Sequence, residues 1–422
     1  MKSNVVYFIV VLLISVSSYS QDVIDNPALW LKGWTNFNPI ETEYPEPEKK
    51  LQNSIDKDLY LSNEYTYLLS GNVYITNNAQ LTIQEGTIIR CDTKGMTNLV
   101  ITKGAKLVAK GSKAFPIVFT SNNRAKSRKS GDWGGIVIAG SGKTNALAVY
   151  KVIEGDFLPQ YAVYGGTEEN EATTELSYVR IEFAGKKVKE SKGYNALSLY
   201  ALGKKSILNN IMISYSENDS FTCFGGTVDL QNLISYKAKG DDYDFTLGYR
   251  GKLSTIMAIR HPYITDASGS YAIEIDGYTK NEGFISSDFL SNVSIQHASL
   301  INLSTKRNYM HTTAAIFTKN QAALTITDSR ISGFANVVKF DASYTSFQDL
   351  KHYFLLENSV YNVHNSAVLT HHQSAIDNTS QLLQYNMYTN NFKNAEDWFT
   401  DPFNTKKPKF TIKDSNSYTV ME

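Results

Sequence analysis

The 422-residue chain carries 41 Lys and Arg against 41 Asp and Glu, a balance that argues against nucleic acid as a partner. Its 27 Tyr and 20 Phe fit β structure, with aromatic stacking inside or sugar stacking outside. The two cysteines, Cys91 and Cys223, lie in apolar β-type runs and read as buried free thiols, with a disulfide as the alternative; no Cys/His spacing suggests zinc.

In residues 1–20 Lys2 is the only charge, Val5 to Val16 is almost wholly apolar, and Ser18-Tyr19-Ser20 supplies small residues for a peptidase. This predicts a secretory signal peptide with Gln21 as the mature N-terminus, hence an exported protein, periplasmic, outer-membrane-associated or at the cell surface. No later stretch has the apolar length of a membrane span, so no membrane-spanning segment is expected in the mature chain. Residues 21–58 hold four of the nine prolines, Trp30 and Trp34, and predict an N-terminal cap and linker. A docking segment for a partner is the sharper alternative.

From Leu59 the chain turns repetitive. Leu81-Thr82-Ile83, Leu99-Val100-Ile101, Ile117-Val118-Phe119 and Ile136-Val137-Ile138 recur at steps of about 18 residues, each followed by turn formers. A solenoid keeps such a rhythm because each coil buries its inward face against its neighbours. The expectation is an all-β, right-handed parallel β-helix over 59–389, with a long loop excursion at about 145–174 and a C-terminal cap over 390–422.

The acidic residues are the best functional candidates. On an extended strand Asp242 and Asp244 point to one side and Asp241 to the other. Asp219 lies about one coil earlier; Glu274 and Asp276 follow about two coils later. A stacked column of Asp219, Asp242, Asp244, Glu274 and Asp276 would repel itself unless a cation neutralised it, and Ca²⁺ fits such oxygen ligands. Alternatively these carboxylates cap turns and pair with Arg250, Lys252 and Arg180. Asp241, Asp242 and Asp244 with Arg250 are the catalytic candidates, as the acids of a hydrolase or the base of a Ca²⁺-dependent lyase.

Two basic loops, one with Arg124, Lys126, Arg128 and Lys129 and one with Lys186, Lys187, Lys189 and Lys192, either grip an anionic glycan or are solvated tips. Gly131-Asp132-Trp133-Gly134-Gly135 reads as architectural, with glycines at positive φ beside a space-filling Trp133. His371-His372 reads as a surface turn, and Ser141 to Thr144 lacks the glycine spacing of a phosphate loop.

Over residues ~65–280 the chain resembles the exported β-helix proteins of Bacteroidota-type bacteria, mostly of unknown function. The matching phrases include Leu81-Thr82-Ile83-Gln84-Glu85-Gly86-Thr87, Phe115-Pro116-Ile117-Val118-Phe119-Thr120-Ser121, Gly131-Asp132-Trp133-Gly134-Gly135, Phe224-Gly225-Gly226-Thr227-Val228 and Asp241-Asp242-Tyr243-Asp244. Before Phe-Gly-Gly that family has two Asp, Gly, Phe and Glu. Asn218-Asp219-Ser220-Phe221-Thr222 stands here instead, which implies a weakened carboxylate-dependent activity.

The expected function is therefore a non-catalytic binding or scaffold module of the cell envelope, for glycan or a protein partner. A polysaccharide lyase or glycoside hydrolase is one alternative. A rigid subunit of an outer-membrane assembly, docked through Trp30 and Trp34, is the other.

Overall fold

The computed structural model describes residues 30–189, 192–266, 269–280, 289–371, 379–389, 395–404 and 406–413. The expected leader (1–20), Gln21 and His372 lie outside them. Parallel strands stack coil upon coil into a right-handed β-helix with three faces, as expected.

One face is an 11-stranded sheet, here called the third sheet. The other two, a first face before a bend in the strands and a second face after it, belong to a single 17-stranded sheet folded along its length. Its long strands run through the fold: Thr174–Glu182 pairs with Lys106–Lys110 through residues 174–177 and with Ile117–Ser121 through 179–181. At the bend the backbone turns left-handed in a column of Tyr178, Asn210, Asn232, Thr255 and His297, with φ of 51, 52, 55, 55 and 59°. Each non-glycine residue there costs about 1–2 kcal/mol, less for the two Asn. Pairing on both sides of the bend offsets that cost, and Asn232 Nδ2 donates to Asn210 Oδ1 at 3.4 Å within the column.

The interior is a set of apolar columns. Leu99, Ile136, Leu197, Phe221, Tyr243, Ile273, Ile316 and Val338 follow one another along the third sheet in register and are all buried. Cys91 and Cys223 are buried and unbridged within this core.

The coil is longer than the repeat read from the sequence. The four runs do not repeat one position: Leu81–Ile83 pairs with 107–109 and Ile117–Phe119 with 179–181, while Leu99–Ile101 pairs with 73–75 and with 136–138 in the third sheet. Leu197, Phe221 and Tyr243 mark equivalent positions on successive coils, and Ile136 is joined to Leu197 only across the whole excursion. The apparent period arose from strands on different faces of successive coils, with Ile88–Cys91 and Lys106–Lys110 lying between the first three runs.

The excursion forms a small antiparallel hairpin, Lys151–Val152 with Val163–Tyr164. It packs Ile153, Ala162 and Tyr164 onto Val100, Val137, Ala139 and Ala201 of the third sheet's outer surface.

The chain ends differ from the caps expected of them. Lys49–Lys50 and Ser54–Ile55 already pair as strands of the first coil. Leu31, Trp34 and Phe37 lie instead along the flank of the helix, on Met212, Ile234, Tyr236 and Met257. The C-terminal strands Phe399–Asp401 and Lys409–Ile412 cover the same flank. The two ends meet there, with the Phe37 and Phe410 rings 4.8 Å apart and Asn38 Nδ2 donating to Lys406 O at 2.9 Å. Trp34 is fully buried edge-on to Tyr178, so it is packed within the chain rather than offered to a partner.

Candidate functional site

The third sheet's outer surface carries the site. Strand alternation sends Tyr243 and Phe245 inward and Asp244 and Thr246 outward. Register then lines up Ser198, Thr222, Asp244, Glu274, Phe317 and Lys339 in one outward column. Tyr200, Phe224 and Thr246 align in the next, where Asp276 pairs with Lys319.

The second column begins as an aromatic ladder. Tyr164 of the excursion meets Tyr200 at 4.8 Å, and Tyr200 and Phe224 stack at 4.2 Å with rings 4° from parallel. At the next rung the ladder stops. Thr246 stands there, with its hydroxyl 3.5 Å from that of Thr279. Phe224, Thr246 and Thr279 line a groove of about 770 Å³ together with Phe157, Tyr164 and Tyr194. Asn195 and Asn218 add amides, Asn195 donating to Thr222 Oγ1 at 2.7 Å.

The acids adjoin this groove, but not as one set. Asp219, Asp241, Asp244, Glu274 and Asp276 are half-buried on the outer side. Asp219 Oδ1 accepts from Asp241 N at 2.8 Å, and Asp241 Oδ1 from Tyr271 N at 2.6 Å. Lys319 bridges Glu274 and Asp276, the latter at 3.7 Å. Burial, followed by the coulombic push of the neighbouring carboxylates, raises Asp241 and Asp244 well above the ordinary carboxylate range. Asp219 is pushed up to about 7, chiefly by burial. Lys319 is raised by Glu274 and Asp276 despite its own burial.

Asp242 departs from its expected place. It is fully buried at the corner before Tyr243–Thr246 and turns inward, where Oδ2 accepts from Arg260 Nη1 at 2.7 Å and Oδ1 from Ser235 Oγ at 2.5 Å. It is thus Asp241, not Asp242, that stands with Asp244. Residues 241 and 242 precede the strand, so strict alternation does not reach them. Glu274 is also nearer than expected, paired with Asp244 in the adjacent coil.

Arg250 lies beyond the next corner, exposed, with its guanidinium 5.7 Å from the Phe289 ring. Arg180 pairs with Glu182 on the second face. The cations that lower Asp219 and Asp244 against the carboxylate push are Arg260 and Lys319 respectively.

The donor set does not fit Ca²⁺, which takes six to eight oxygens. Asp242 is committed to Arg260, Asp219 and Asp241 each hold a backbone N–H, and an ammonium already bridges Glu274 and Asp276. Among the described residues no group of three or more His, Cys, Asp or Glu is arranged to hold a metal ion.

Sequence reasoning missed Tyr200, Phe224, Thr246, Lys319 and Arg260. The aromatic pair has a usable signal, since Tyr200 and Phe224 keep the same spacing as Leu197 and Phe221 in the column beside them. Lys319 has none, because 45 residues separate it from Glu274.

No helix of the described residues is long and apolar enough to cross a membrane. A family model described as a pectate-lyase-like β-helix domain matches residues 53–402. No curated protein and no solved structure matches the chain.

Proposed function

The chain belongs to the pectate-lyase-like β-helix domain family, and from that premise we propose that it is an exported glycan-binding module. The saccharide would lie along the third sheet's outer groove. The observation that carries this reading is the broken aromatic ladder. Phe224 ends a face-to-face stack where the next coil supplies only Thr246, leaving room for the apolar face of one sugar ring. Hydroxyls of that ring would meet Thr246 and Thr279, and Asn195 and Asn218 also line the groove. Polar side chains, Glu154 and Asp156 among them, stand beside aromatic walls there, a make-up that suits a polyhydroxylated ligand.

Restoring the missing rung tests this reading. Thr246→Phe should keep the wild-type melt and lose binding on a glycan array, and Phe224→Ala should lose it too. Unchanged binding by Thr246→Phe would sink the proposal.

A second reading, glycoside hydrolysis, is favoured by one arrangement: Asp244 stands in register with Glu274 of the adjacent coil. Asp219, which accepts from Asp241 N, lies near enough to push on Asp244, and burial raises all three Asp carboxyls. A carboxyl still protonated near neutrality can donate to a glycosidic oxygen as the C–O bond breaks, while an ionised partner activates the attacking water. Asp244 would be the acid and Glu274 the base. New reducing ends from wild type but not from Asp244→Asn, on a glycan that both bind, would establish it. No product from any bound glycan would leave the binding module.

A further inference from the structure

The two basic loops come together. Arg128 and Lys129 of the first loop meet Lys186 and Lys187 of the second at the corner between the 17-stranded sheet and the third sheet, where Lys239 joins them. They line a pocket of about 640 Å³. The Tyr215 ring lines it too, half-buried and stacked on Phe183 at 5.6 Å. Five cations face this pocket against one carboxylate, Glu217, which pairs with Lys239 at 2.6 Å. The whole chain is neutral, so this is a local concentration of charge.

The way these cations are held matters more than their number. Arg128 is buried and donates to the carbonyls of Pro39 at 2.9 Å, Thr42 at 2.6 Å and Asn123 at 3.1 Å. Lys186 Nζ donates to the carbonyls of Thr93 at 2.9 Å and Gly95 at 2.8 Å. Carbonyl oxygens position a cation without cancelling its charge. Asp132, buried behind the loop, accepts from Lys129 N at 3.1 Å, Asn123 Nδ2 at 3.0 Å and Ser121 Oγ at 2.5 Å, which holds the loop's backbone in place. Lys129 and Lys187 stand exposed at the rim. The result is a preorganised excess of cations beside an aromatic ring, offset in part by Glu217 on Lys239 and by Glu182 and Glu43 near Arg128.

We propose that this corner pocket binds an oxyanion carried on a saccharide, a sulfate ester or a carboxylate, at a site separate from the ladder groove. The pocket is larger than a free inorganic anion requires, and the Tyr215 ring offers a surface for the sugar that bears the charge. The hairpin Lys187–Lys189 with Lys192–Gly193 stands between the two sites, with Lys187 lining the pocket while Val188 and Gly193 line the groove.

A dextran series tests it on the mature protein, because the backbone stays constant while the charge changes. Neutral dextran, dextran sulfate and carboxymethyl dextran are titrated at about 0.15 M salt, where long-range attraction is screened. Wild type should bind a charged dextran and not the neutral one, the tighter of the two charged forms identifying the group. Lys129→Gln with Lys187→Gln should weaken that binding about tenfold or more, the loss of one or two charge-assisted contacts. Lys204→Gln with Lys205→Gln removes the same charge from a distant exposed turn and should leave binding unchanged. Both double variants should melt as wild type does, since all four side chains are exposed. Equal loss in the two variants, no loss in the first, or wild-type binding indifferent to dextran charge would each overturn the proposal.

Discussion

Asp242 and Arg260 form a dry ion pair at the corner where the third sheet begins: 2.7 Å separates Oδ2 from Nη1, and the side chains are 0% and 4% exposed. Arg260 Nη1 also reaches the carbonyls of Gly240 at 2.9 Å and Tyr271 at 3.0 Å, so one guanidinium joins successive coils. The pair belongs to the architecture and not to the groove.

Asp242→Asn should therefore leave a buried guanidinium without its counter-charge and destabilise the fold by about 3–5 kcal/mol. The urea midpoint reads this directly. A midpoint like that of wild type would mean that Asp242 is not the structural partner of Arg260.

Asp244→Asn should behave oppositely. The folded state holds Asp244 above its unfolded value, so at neutral pH the ionised form opposes folding. Removing it should stabilise the protein by up to about 1 kcal/mol at pH 7.5, a modest figure because the side chain is half-buried and screened. Below about pH 4, where both states are protonated, the gain should vanish. Destabilisation at pH 7.5 would show that Asp244 makes a favourable contact instead.

Asp219 sets a pH window. With a folded value of about 7 and an ordinary value of 3.8, the folded state holds a proton that the unfolded state releases between those limits. Its contribution therefore favours folding more as pH falls from about 7 toward 4. The stability of wild type relative to Asp219→Asn should rise over that window by roughly 1–2 kcal/mol after screening. A flat difference would refute the raised carboxyl.

Lys319 fills the place of a metal between Glu274 and Asp276. EDTA and millimolar Ca²⁺ should leave the wild-type melt unchanged, because only a ligand bound by the native state raises it. Lys319→Met should lose about 1–3 kcal/mol at neutral pH, since it leaves two neighbouring carboxylates uncompensated. A large Ca²⁺-dependent rise in the wild-type melt would restore calcium to the site.

Within Gly131-Asp132-Trp133-Gly134-Gly135 the glycines differ in purpose. Gly131 has the expected positive φ of 74°, whereas a Cβ on Gly135 would lie 2.2 Å from Asn195 O and 2.9 Å from Ala196 O. The corner requires close approach there, with Trp133 buried beside Phe119 and its indole N–H on Glu182 O at 2.8 Å. Gly135→Ala should cost about 2–3 kcal/mol or prevent folding. A melt within a degree or two of wild type would show that the two backbones can part.

What the residues alone determined is local. Alternating apolar runs such as Leu81-Thr82-Ile83 specify strands with one buried side, and their repetition specifies a solenoid, because a coil cannot bury that side alone. Cys91 and Cys223 fell inside for the same reason, and the lapse in rhythm after Asn145 marked the excursion that now walls the groove. The columns across coils were decided only by tertiary structure. Turns between strands differ so much in length that the step along one face is never constant. It is short from Leu197 to Phe221 and from Phe221 to Tyr243, longer from Tyr243 to Ile273, and longest from Ile136 to Leu197. The offset that sets Phe224 on Tyr200 is readable only from the Leu197–Phe221 pair beside it, and no such neighbour sets Lys319 between Glu274 and Asp276. Nor could alternation foresee Asp242 turning inward, because the corner backbone before Tyr243 is not a strand. The flank where Phe37 meets Phe410 is likewise a tertiary outcome: apolar side chains on the second face's outer surface, Met212, Ile234 and Met257, drew both chain ends over themselves.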